Sequence, residues 1–477
     1  MVFSSPVFLF LFLPITLGVY YLLPARARNL WLLAVSLVFY GWGEPKFLVV
    51  MLASIACNFV LALWIQRQED RRRAKFAVGV AVVVNIGLLV VFKYTNFIVD
   101  GVNMLTGPLG LPALANPPIA LPIGISFFTF HALSYVIDVY RRDAAALRNP
   151  FDMGLYISLF SQLVAGPIIR YHDIAHQLHD RAVSRSMFAR GVERFIVGLG
   201  KKVLIANTLA VPADLIFSLP PEQLTAPVAW FGVLCYTLQI YFDFSGYSDM
   251  AIGLGLMFGF RFLENFNYPY ISRSITEFWR RWHISLSNWF RDYLYIPLGG
   301  NRVPLPRVYL NLVTTFFLCG LWHGASVNFV IWGLYHGAFL VVERMGATRW
   351  MRNPWASPIR HVYMLVVVMV SWVFFRAETL PAATGMLQAM AGMGGTSELS
   401  GSLAMYVDVE RVLALAVGIM GATPILPAIK DWIARSRSSA LATGAHAIEL
   451  VALPSIFLAS AMLLAAGTYN PFIYFRF

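Results

Sequence analysis

The sequence predicts an all-α protein that crosses a membrane many times, and two observations carry that prediction. Of the 477 residues, 58% are hydrophobic and 13% are charged, whereas a soluble domain carries about 25% charged residues. The apolar residues also form runs of the length that a membrane-spanning helix needs, about 20 residues. Together these features exclude a soluble enzyme, a disordered chain and a disulfide-stabilised secreted domain. They also exclude an outer-membrane barrel, whose strands alternate polar and apolar residues.

The apolar runs define the predicted helices in chain order. The run at 151–171 is broken by Gly154 and by Gly166 with Pro167, which predicts a poor span or a re-entrant segment. Residues 172–202 are basic and predict a cytoplasmic interfacial helix or loop. We expect about 11 spans and one or two partial segments in total. The other runs lie at 7–23, 30–42, 47–65, 76–92, 121–139, 203–219, 228–260, 308–342, 361–376, 403–428 and 448–468.

Charge in the loops predicts the orientation of the chain. Arginine is concentrated in every second loop of the N-terminal part, at 26–28, 67–75 and 141–142, and such loops stay in the cytoplasm. The N-terminus is therefore predicted to lie outside. The net charge of +12 reflects basic loops that meet membrane lipids, and no separate basic domain predicts nucleic-acid binding.

No internal repeat, low-complexity tract or soluble module interrupts the chain. Residues 1–477 are therefore predicted to form a single membrane domain. Within it we distinguish N-terminal helices at 1–145, a core at 146–345 and C-terminal helices at 346–477.

Charged side chains inside apolar segments are unfavourable in a bilayer and mark functional or cavity-lining positions. The first such group lies at 239–249, where Asp243, Ser245 and Asp249 interrupt an apolar run. On a helix Ser245 and Asp249 share one face, and Asp243 shares a face with Gln239. Buried carboxylates are usually paired with basic side chains, so a structural role is favoured over a functional one.

The second group lies at 277–291 and combines arginines with tryptophans. On one continuous helix, Arg280, His283, Ser287 and Arg291 align on one face, opposite the aromatic side chains. Such a helix lies along the membrane surface with its arginines on lipid phosphate, or it lines a cavity whose cations meet an anionic cofactor. Periodicity leaves both alternatives open.

The third group is centred on His323, which lies between Trp322 and Gly324 in an apolar run. A buried histidine is more often a packing residue than a catalytic one, but a neutral imidazole can act as a general base. Cys319 lies one helical turn earlier, which makes a Cys–His pair conceivable, although nothing nearby favours a thiolate. His336 would face elsewhere on a continuous helix.

No metal site is predicted. The three cysteines lie apart in apolar runs, and neither Cys-x-x-Cys nor His-Glu-x-x-His occurs, so buried reduced thiols are expected. His172, His176 and His179 are assigned to a solvated loop.

At these residues the sequence resembles the membrane-bound O-acyltransferase family, in particular its bacterial members that acetylate exported polysaccharides. The resemblance extends over nearly the whole chain, is strongest at 120–376 and weakens over roughly 380–468. The motifs that carry it are Met1–Ser5, Leu121–Ser126, Tyr241–Gly253, Ile275–Ser287, Arg291–Ile296, Leu298–Asn301, Leu321–Ala325 and the aromatic tail Phe472–Phe477.

The resemblance implies a ring of helices around a central tunnel and an acyltransferase activity. His323 matches the family's catalytic histidine, and His283 matches its second position, which is Asn or His. The implied donor is a cytoplasmic thioester, acetyl-CoA, acting as co-substrate rather than as a resident cofactor. The arginine-rich stripe, rather than the family, is the basis for expecting Arg280, Arg281 and Arg291 to bind the phosphates of this donor. Ser287 and Trp322 are expected to bind the donor as well, and Asp243, Ser245, Asp249 and Asn301 are expected to line the tunnel or support it.

The resemblance also implies a location and partners. It places the chain in the bacterial inner membrane, together with a periplasmic acetyltransferase of the SGNH type and a polysaccharide export complex. The implied polymer is alginate, with cellulose or another exopolysaccharide as the alternative. The aromatic tail is expected to help the handover of acetyl to the periplasmic partner.

Two other classes of function remain open on the sequence. A transporter or proton pathway could use the buried acids and histidines as a relay, but transporters usually show repeat symmetry, which this chain lacks. A non-catalytic scaffold of an export complex would not need histidines inside apolar helices.

Overall fold

The computed structural model describes residues 1–164, 166–346, 356–395, 402–436 and 438–471. Within these ranges the chain is helical and has no β-strand, which confirms the all-α prediction. The tail Phe472–Phe477 lies outside the described residues. The helices are α1 Leu13–Leu22, α2 Ala25–Gly43, α3 Leu48–Gln66, α4 Arg71–Leu89, α5 Thr95–Thr106, α6 Ile125–Arg141, α7 Pro150–Ser158, α8 Phe160–Leu163, α9 Tyr171–His179, α10 Arg185–Gly200, α11 Asn207–Phe217, α12 Ala226–Met257, α13 Ile275–Arg281, α14 Ile284–Phe290, α15 Leu305–His323, α16 Val327–Met345, α17 Ser357–Arg376, α18 Leu380–Met390, α19 Val409–Gly421, α20 Ile425–Ser436 and α21 Ser439–Ala465.

Six of the described helical segments are long and apolar enough to cross a membrane, or seven if α19 and α20 form one span bent by 57°. The chain is thus a multi-pass membrane protein, but the count of about 11 spans is not confirmed. Some predicted spans are divided or short: the run at 151–171 forms α7 and the four-residue α8, and α6 has only 17 residues. The six segments are Leu48–Gln66, Arg71–Leu109, Arg185–Phe217, Leu305–His323, Ser357–Arg376 and Ser439–Ala465.

The basic region at 172–202 is helical rather than a loop. α9 carries His172, whose Nδ1 lies 2.9 Å from Asp138 Oδ2. α10 continues through a short π-helical segment, Lys201–Ala206, into α11. The predicted boundary between an interfacial segment and a span near residue 203 is therefore wrong, because helical hydrogen bonding is not interrupted there.

The described chain divides into two compact units. The first comprises Met1–Val192, Ala251–Leu263 and Gly324–Ser326. Its core contains an aromatic cluster of Phe3, Phe8, Phe39 and Phe160, and its helices α3 and α4 are joined by a buried amide pair, Asn58 with Asn85.

The second unit comprises Glu193–Met250, Glu264–His323 and the chain from Val327 onward. It contains His283, His323 and all the other residues that the sequence proposes as functional. Its apolar core includes Val228, Val233, Val373 and Met386. The candidate site can therefore be described within this unit alone.

Glycines bring α15 and α16 into close contact and so fix the end of α15, where His323 lies. A Cβ atom added at Gly320 would lie 2.2 Å from the Phe329 carbonyl oxygen, and one added at Gly333 would lie 2.3 Å from the Phe316 carbonyl oxygen. Small residues permit this approach of helix backbones in membrane proteins. The position of His323 therefore depends on an interface that admits no side chain.

Gly333→Ala is expected to lower the free energy of unfolding by about 1–3 kcal/mol, the usual cost of overpacking. The clash is with a backbone carbonyl, which cannot rotate away as a side chain could. The measurement is thermal unfolding of the purified protein in detergent. The control is Gly87→Ala in α4, where an added Cβ meets nothing within 4 Å; a comparable loss of stability in both variants would contradict the packing argument.

Candidate functional site

His323 is the last residue of α15 and is 6% exposed. Its imidazole is surrounded by aromatic rings, with centroid distances of 4.9 Å to Trp322, 5.0 Å to Trp332 and 5.1 Å to Phe375. These rings come from three helices, α15, α16 and α17. Packing therefore holds the ring of His323 in one orientation. A catalytic group needs such support, because its reacting atom must point in a fixed direction.

His283 is fully buried and lies between α13 and α14. Its backbone is left-handed, with φ 44° and ψ 55°, a conformation that costs a non-glycine residue about 1–2 kcal/mol. The prediction of one continuous helix at 277–291 is therefore wrong. The physical reason is that the amide N–H of Ile284 donates to the Asn265 carbonyl oxygen at 2.9 Å, so it is not available to a continuous helix.

Asn265 organises the surroundings of His283. Its side-chain Oδ1 lies 3.1 Å from His283 Nδ1 and accepts hydrogen bonds from the Ser285 N–H at 3.1 Å and the Ser285 hydroxyl at 2.9 Å. Its Nδ2 donates to Ser248 Oγ at 3.1 Å. Ser248 belongs to the motif Tyr241–Gly253, so that motif supports His283 through Asn265.

Aromatic rings pack directly on His283 and connect it to His323. The centroid of Phe244 lies 4.5 Å from that of His283 in an edge-to-face arrangement. The Trp322 indole lies 6.4 Å from His283 and 4.9 Å from His323. The two predicted catalytic histidines thus contact the same indole, which brings them into one site although they are 40 residues apart.

A cavity of about 210 Å³ lies among α13, α14, α15 and α16. Arg280, Ser287 and Arg291 line it together with Cys319, which precedes His323 by one turn of α15. Arg280 and Arg291 are both exposed to solvent. The other lining residues are Thr276, Trp279, Leu286, Phe290, Tyr295, Leu312, Thr315, Phe316 and Leu340.

The predicted arginines are not equivalent in the structure. Arg280 makes no ion pair with any residue of the described ranges. Arg291 forms a bidentate pair with Asp292, at 2.7 Å and 3.0 Å. Arg281 is turned away from the cavity, where its Nε donates to Glu277 at 3.0 Å and its Nη1 to the Asn267 carbonyl at 3.1 Å. Arg281 lies about 100° further round α13 than Arg280, on the side of Glu277 one turn earlier.

The carboxylates of the motif at 239–249 are paired with basic residues. Asp243 lies 2.5 Å from Lys202 Nζ, and both side chains are almost fully buried. Asp249 binds Lys201 at 2.6 Å and Arg194 at 2.7 Å. These pairs join α12 to the segment that precedes α11, which agrees with the structural interpretation of the two acids.

The remaining predicted polar residues, Ser245 and Asn301, do not line the cavity. Ser245 is buried in α12, and its hydroxyl has no hydrogen-bond partner among the described residues. Asn301 is exposed and accepts a hydrogen bond from Tyr295 at 2.7 Å. Trp322 does not line the cavity, but it packs between the histidines.

The sequence carries no signal for two residues near the site, Asn265 and Glu343, and the prediction that a third, His336, faces away from His323 is wrong. Asn265 lies in a loop where a lone amide carries no pattern. His336 is buried against Trp332, which also contacts His323, at centroid distances of 5.0 Å each, because α15 and α16 are separate helices. Glu343 accepts hydrogen bonds from the N–H groups of residues 275 and 276 and so caps α13, the helix that carries Arg280.

The arrangement combines parts that an acyl transfer needs. Two imidazoles supply groups that can accept or donate a proton. The nearby cavity offers a cationic rim and an apolar lining, which suits a ligand with an anionic end and an apolar or neutral chain.

Comparisons with known proteins agree with this chemistry. The model of the membrane-bound O-acyltransferase family matches residues 35–380. A probable alginate O-acetylase AlgI from Azotobacter vinelandii is 45% identical over the full length of both chains, and one from Pseudomonas aeruginosa is 50% identical over 83% of this chain and 75% of its own. A peptidoglycan O-acetyltransferase from Helicobacter pylori is 37% identical over 83% of this chain and 81% of its own. The chain is therefore an acyltransferase that belongs to the membrane-bound O-acyltransferase family.

Proposed function

We propose that the protein is an inner-membrane O-acetyltransferase that takes acetyl from acetyl-CoA and passes it across the membrane toward an exported polysaccharide. The observation that carries the proposal is the placement of a cation-rimmed cavity beside the helix that ends in His323. The similarity to proteins named alginate O-acetylase over their whole length favours alginate as the polymer. Cellulose is the alternative polymer.

The charge and the lining of the cavity support acetyl-CoA as the donor. Arg280 and Arg291 can bind phosphate oxygens of the coenzyme, for which planar guanidinium groups are suited. The apolar lining, from Trp279 to Phe316, suits the chain that carries the thioester. The acetyl group would then lie toward Cys319 and the His323 end of α15.

The chemistry assigned to His323 is proton transfer. The acceptor hydroxyl oxygen attacks the thioester carbonyl carbon and gives its proton to the imidazole. The C–S bond then breaks, and the imidazolium returns the proton to the leaving thiolate sulfur. A general base of this kind contributes about 10²–10⁴-fold to the rate. His283 would hydrogen-bond the acceptor hydroxyl or the oxyanion that forms on the carbonyl.

The proposal includes a partner on the opposite side of the membrane. A periplasmic acetyltransferase of the SGNH type would receive the acetyl group and transfer it to the polymer within an export complex. The N-terminus would lie in the periplasm, because the arginine-rich loops would be cytoplasmic. Neither a transporter nor a scaffold requires a donor cavity beside the histidines.

The proposal is tested with inner-membrane vesicles that contain the protein, its periplasmic partner and alginate. Acetyl-CoA labelled in the acetyl group is added on the cytoplasmic face. We expect the label to appear on the polymer, with one free CoA thiol released for each acetyl transferred. Absence of both label and thiol release in a complete mixture would refute the function, and label on cellulose but not alginate would reassign the polymer.

Arg280→Ala is expected to raise the KM for acetyl-CoA about tenfold with little change in kcat, since one charge-assisted hydrogen bond contributes about 1.5 kcal/mol. Arg281→Ala is the matched control, because Arg281 pairs with Glu277 outside the cavity. With acetyl-pantetheine, which lacks the nucleotide phosphates, wild type and variant should have equal KM values. An unchanged KM for acetyl-CoA in Arg280→Ala would refute the phosphate contact.

A further inference from the structure

The environment of His283 determines which of its two ring nitrogens carries the hydrogen. The Asn265 side chain can in principle present either its oxygen or its amino group to a neighbour. The backbone N–H of Ser285 lies 3.1 Å from the atom assigned as Oδ1, and a backbone N–H can only donate. The amide oxygen must therefore face Ser285, since the flipped amide would set two donors against each other.

The orientation of the Asn265 amide determines which ring nitrogen of His283 carries the hydrogen. The same Oδ1 lies 3.1 Å from His283 Nδ1, and an amide oxygen can only accept. Nδ1 must therefore bear the hydrogen, and in a neutral imidazole Nε2 then has a free lone pair. Nε2 is buried and has no hydrogen-bond partner among the described residues, so a buried acceptor is left for a group that binds at the site.

The backbone supports the same arrangement. His283 is one of the few non-glycine residues with positive φ, and strain of this kind persists where the surrounding structure holds it and a functional site benefits. Asn265 stabilises this backbone conformation through two contacts. Its backbone carbonyl accepts a hydrogen bond from Ile284 N–H, and its side chain accepts hydrogen bonds from Ser285. The amide is itself held by Ser248.

We propose that Asn265 is a positioning residue that locks His283 in the Nδ1–H tautomer, so that Nε2 accepts a hydrogen bond from a second donor group of the acceptor, beside the hydroxyl that gives its proton to His323. This rests on the proposed function. It assigns His283 to the acceptor rather than to the oxyanion, because a nitrogen without hydrogen cannot donate to an oxyanion. The oxyanion must then be stabilised by another donor.

The tautomer is measured without reference to activity. Protein labelled with ¹⁵N-histidine is examined by NMR in lipid bilayers, where protonated and bare ring nitrogens have separate shifts, and His283→Gln identifies the His283 signals. We expect a protonated Nδ1 and a bare Nε2 in the wild type and in Asn265→Asp, whose carboxylate keeps the acceptor. Asn265→Leu should lose this pattern. A protonated Nε2 in the wild type would overturn the proposal.

Kinetics of the same variants test the consequence. Asn265→Leu should lower kcat about 100-fold, the usual cost of a misplaced reacting group, while KM for acetyl-CoA stays unchanged because Asn265 does not line the donor cavity. Asn265→Asp should restore kcat to within about tenfold of the wild type, and Ser248→Ala, which leaves Oδ1 in place, should be similar. Full activity in Asn265→Leu would refute the positioning role.

A wild type that shows the expected tautomer but transfers no acetyl would refute the proposed function and leave the tautomer assignment standing.

Discussion

His323→Ala is expected to reduce kcat for acetyl transfer by about 10²–10⁴-fold, the contribution of a positioned general base. The hydroxyl of the acceptor is a weak nucleophile until its proton is removed, and in the proposed mechanism His323 is the base that removes it. The binding of acetyl-CoA should change much less, because the cavity residues Arg280 and Ser287 are not altered. The measurement is release of free CoA thiol by vesicles over a range of donor concentrations.

Loss of activity is interpretable only if the variant folds. His323 is packed among Trp322, Trp332 and Phe375, so the alanine variant leaves a cavity. Glutamine fills more of that cavity, and His323→Gln should therefore be as inactive as His323→Ala but more stable. His361→Ala is the matched control, a half-buried histidine of the same unit that contacts the Ser272 carbonyl at 3.1 Å. A folded His323→Ala protein with normal turnover would remove His323 from the mechanism.

The sequence was sufficient to predict the helical class and to single out His323 as a candidate, because each rests on a local property; the catalytic role of His323 stays a prediction. Apolar runs of spanning length specify helices in a membrane. His323 stands out as a titratable residue in an apolar run. The acids Asp243 and Asp249 stand out in the same way, and the expectation that they pair with basic residues rests on the general penalty for a buried unpaired charge.

The part that the sequence could not predict depends on residues distant along the chain. The helix at 277–291 has a continuous amphipathic period, yet it breaks at His283 because Asn265, in a loop 18 residues earlier, captures its hydrogen-bonding groups. Arg280, Ser287 and Arg291 nevertheless line one cavity, as their predicted common face implies, whereas His283 leaves that face. The tertiary hydrogen bonds of Asn265 thus override the helical periodicity at His283.

Lys202→Met is expected to lower the free energy of unfolding by about 3–5 kcal/mol, the usual loss when one partner of a buried ion pair is removed. The side chains of Lys202 and Asp243 are 3% and 2% exposed, so the carboxylate that loses its cation stays in a medium of low dielectric constant. Lys202 also donates to the Pro471 carbonyl, so the loss extends to the chain after α21. Thermal unfolding in detergent measures the effect.

The adjacent pair provides the control. In Lys201→Met, Asp249 loses a cation that is 26% exposed and keeps Arg194 at 2.7 Å, so the free energy of unfolding should fall by about 1 kcal/mol or less.

The double variant Lys202→Met with Asp243→Leu should recover most of the stability, because replacing a whole buried pair by apolar side chains is often neutral. Recovery would identify Lys202 and Asp243 as a structural pair. If the double variant unfolds as easily as Lys202→Met, the destabilisation comes from lost packing and not from an uncompensated charge. If it is stable but inactive, the pair has a role in acyl transfer.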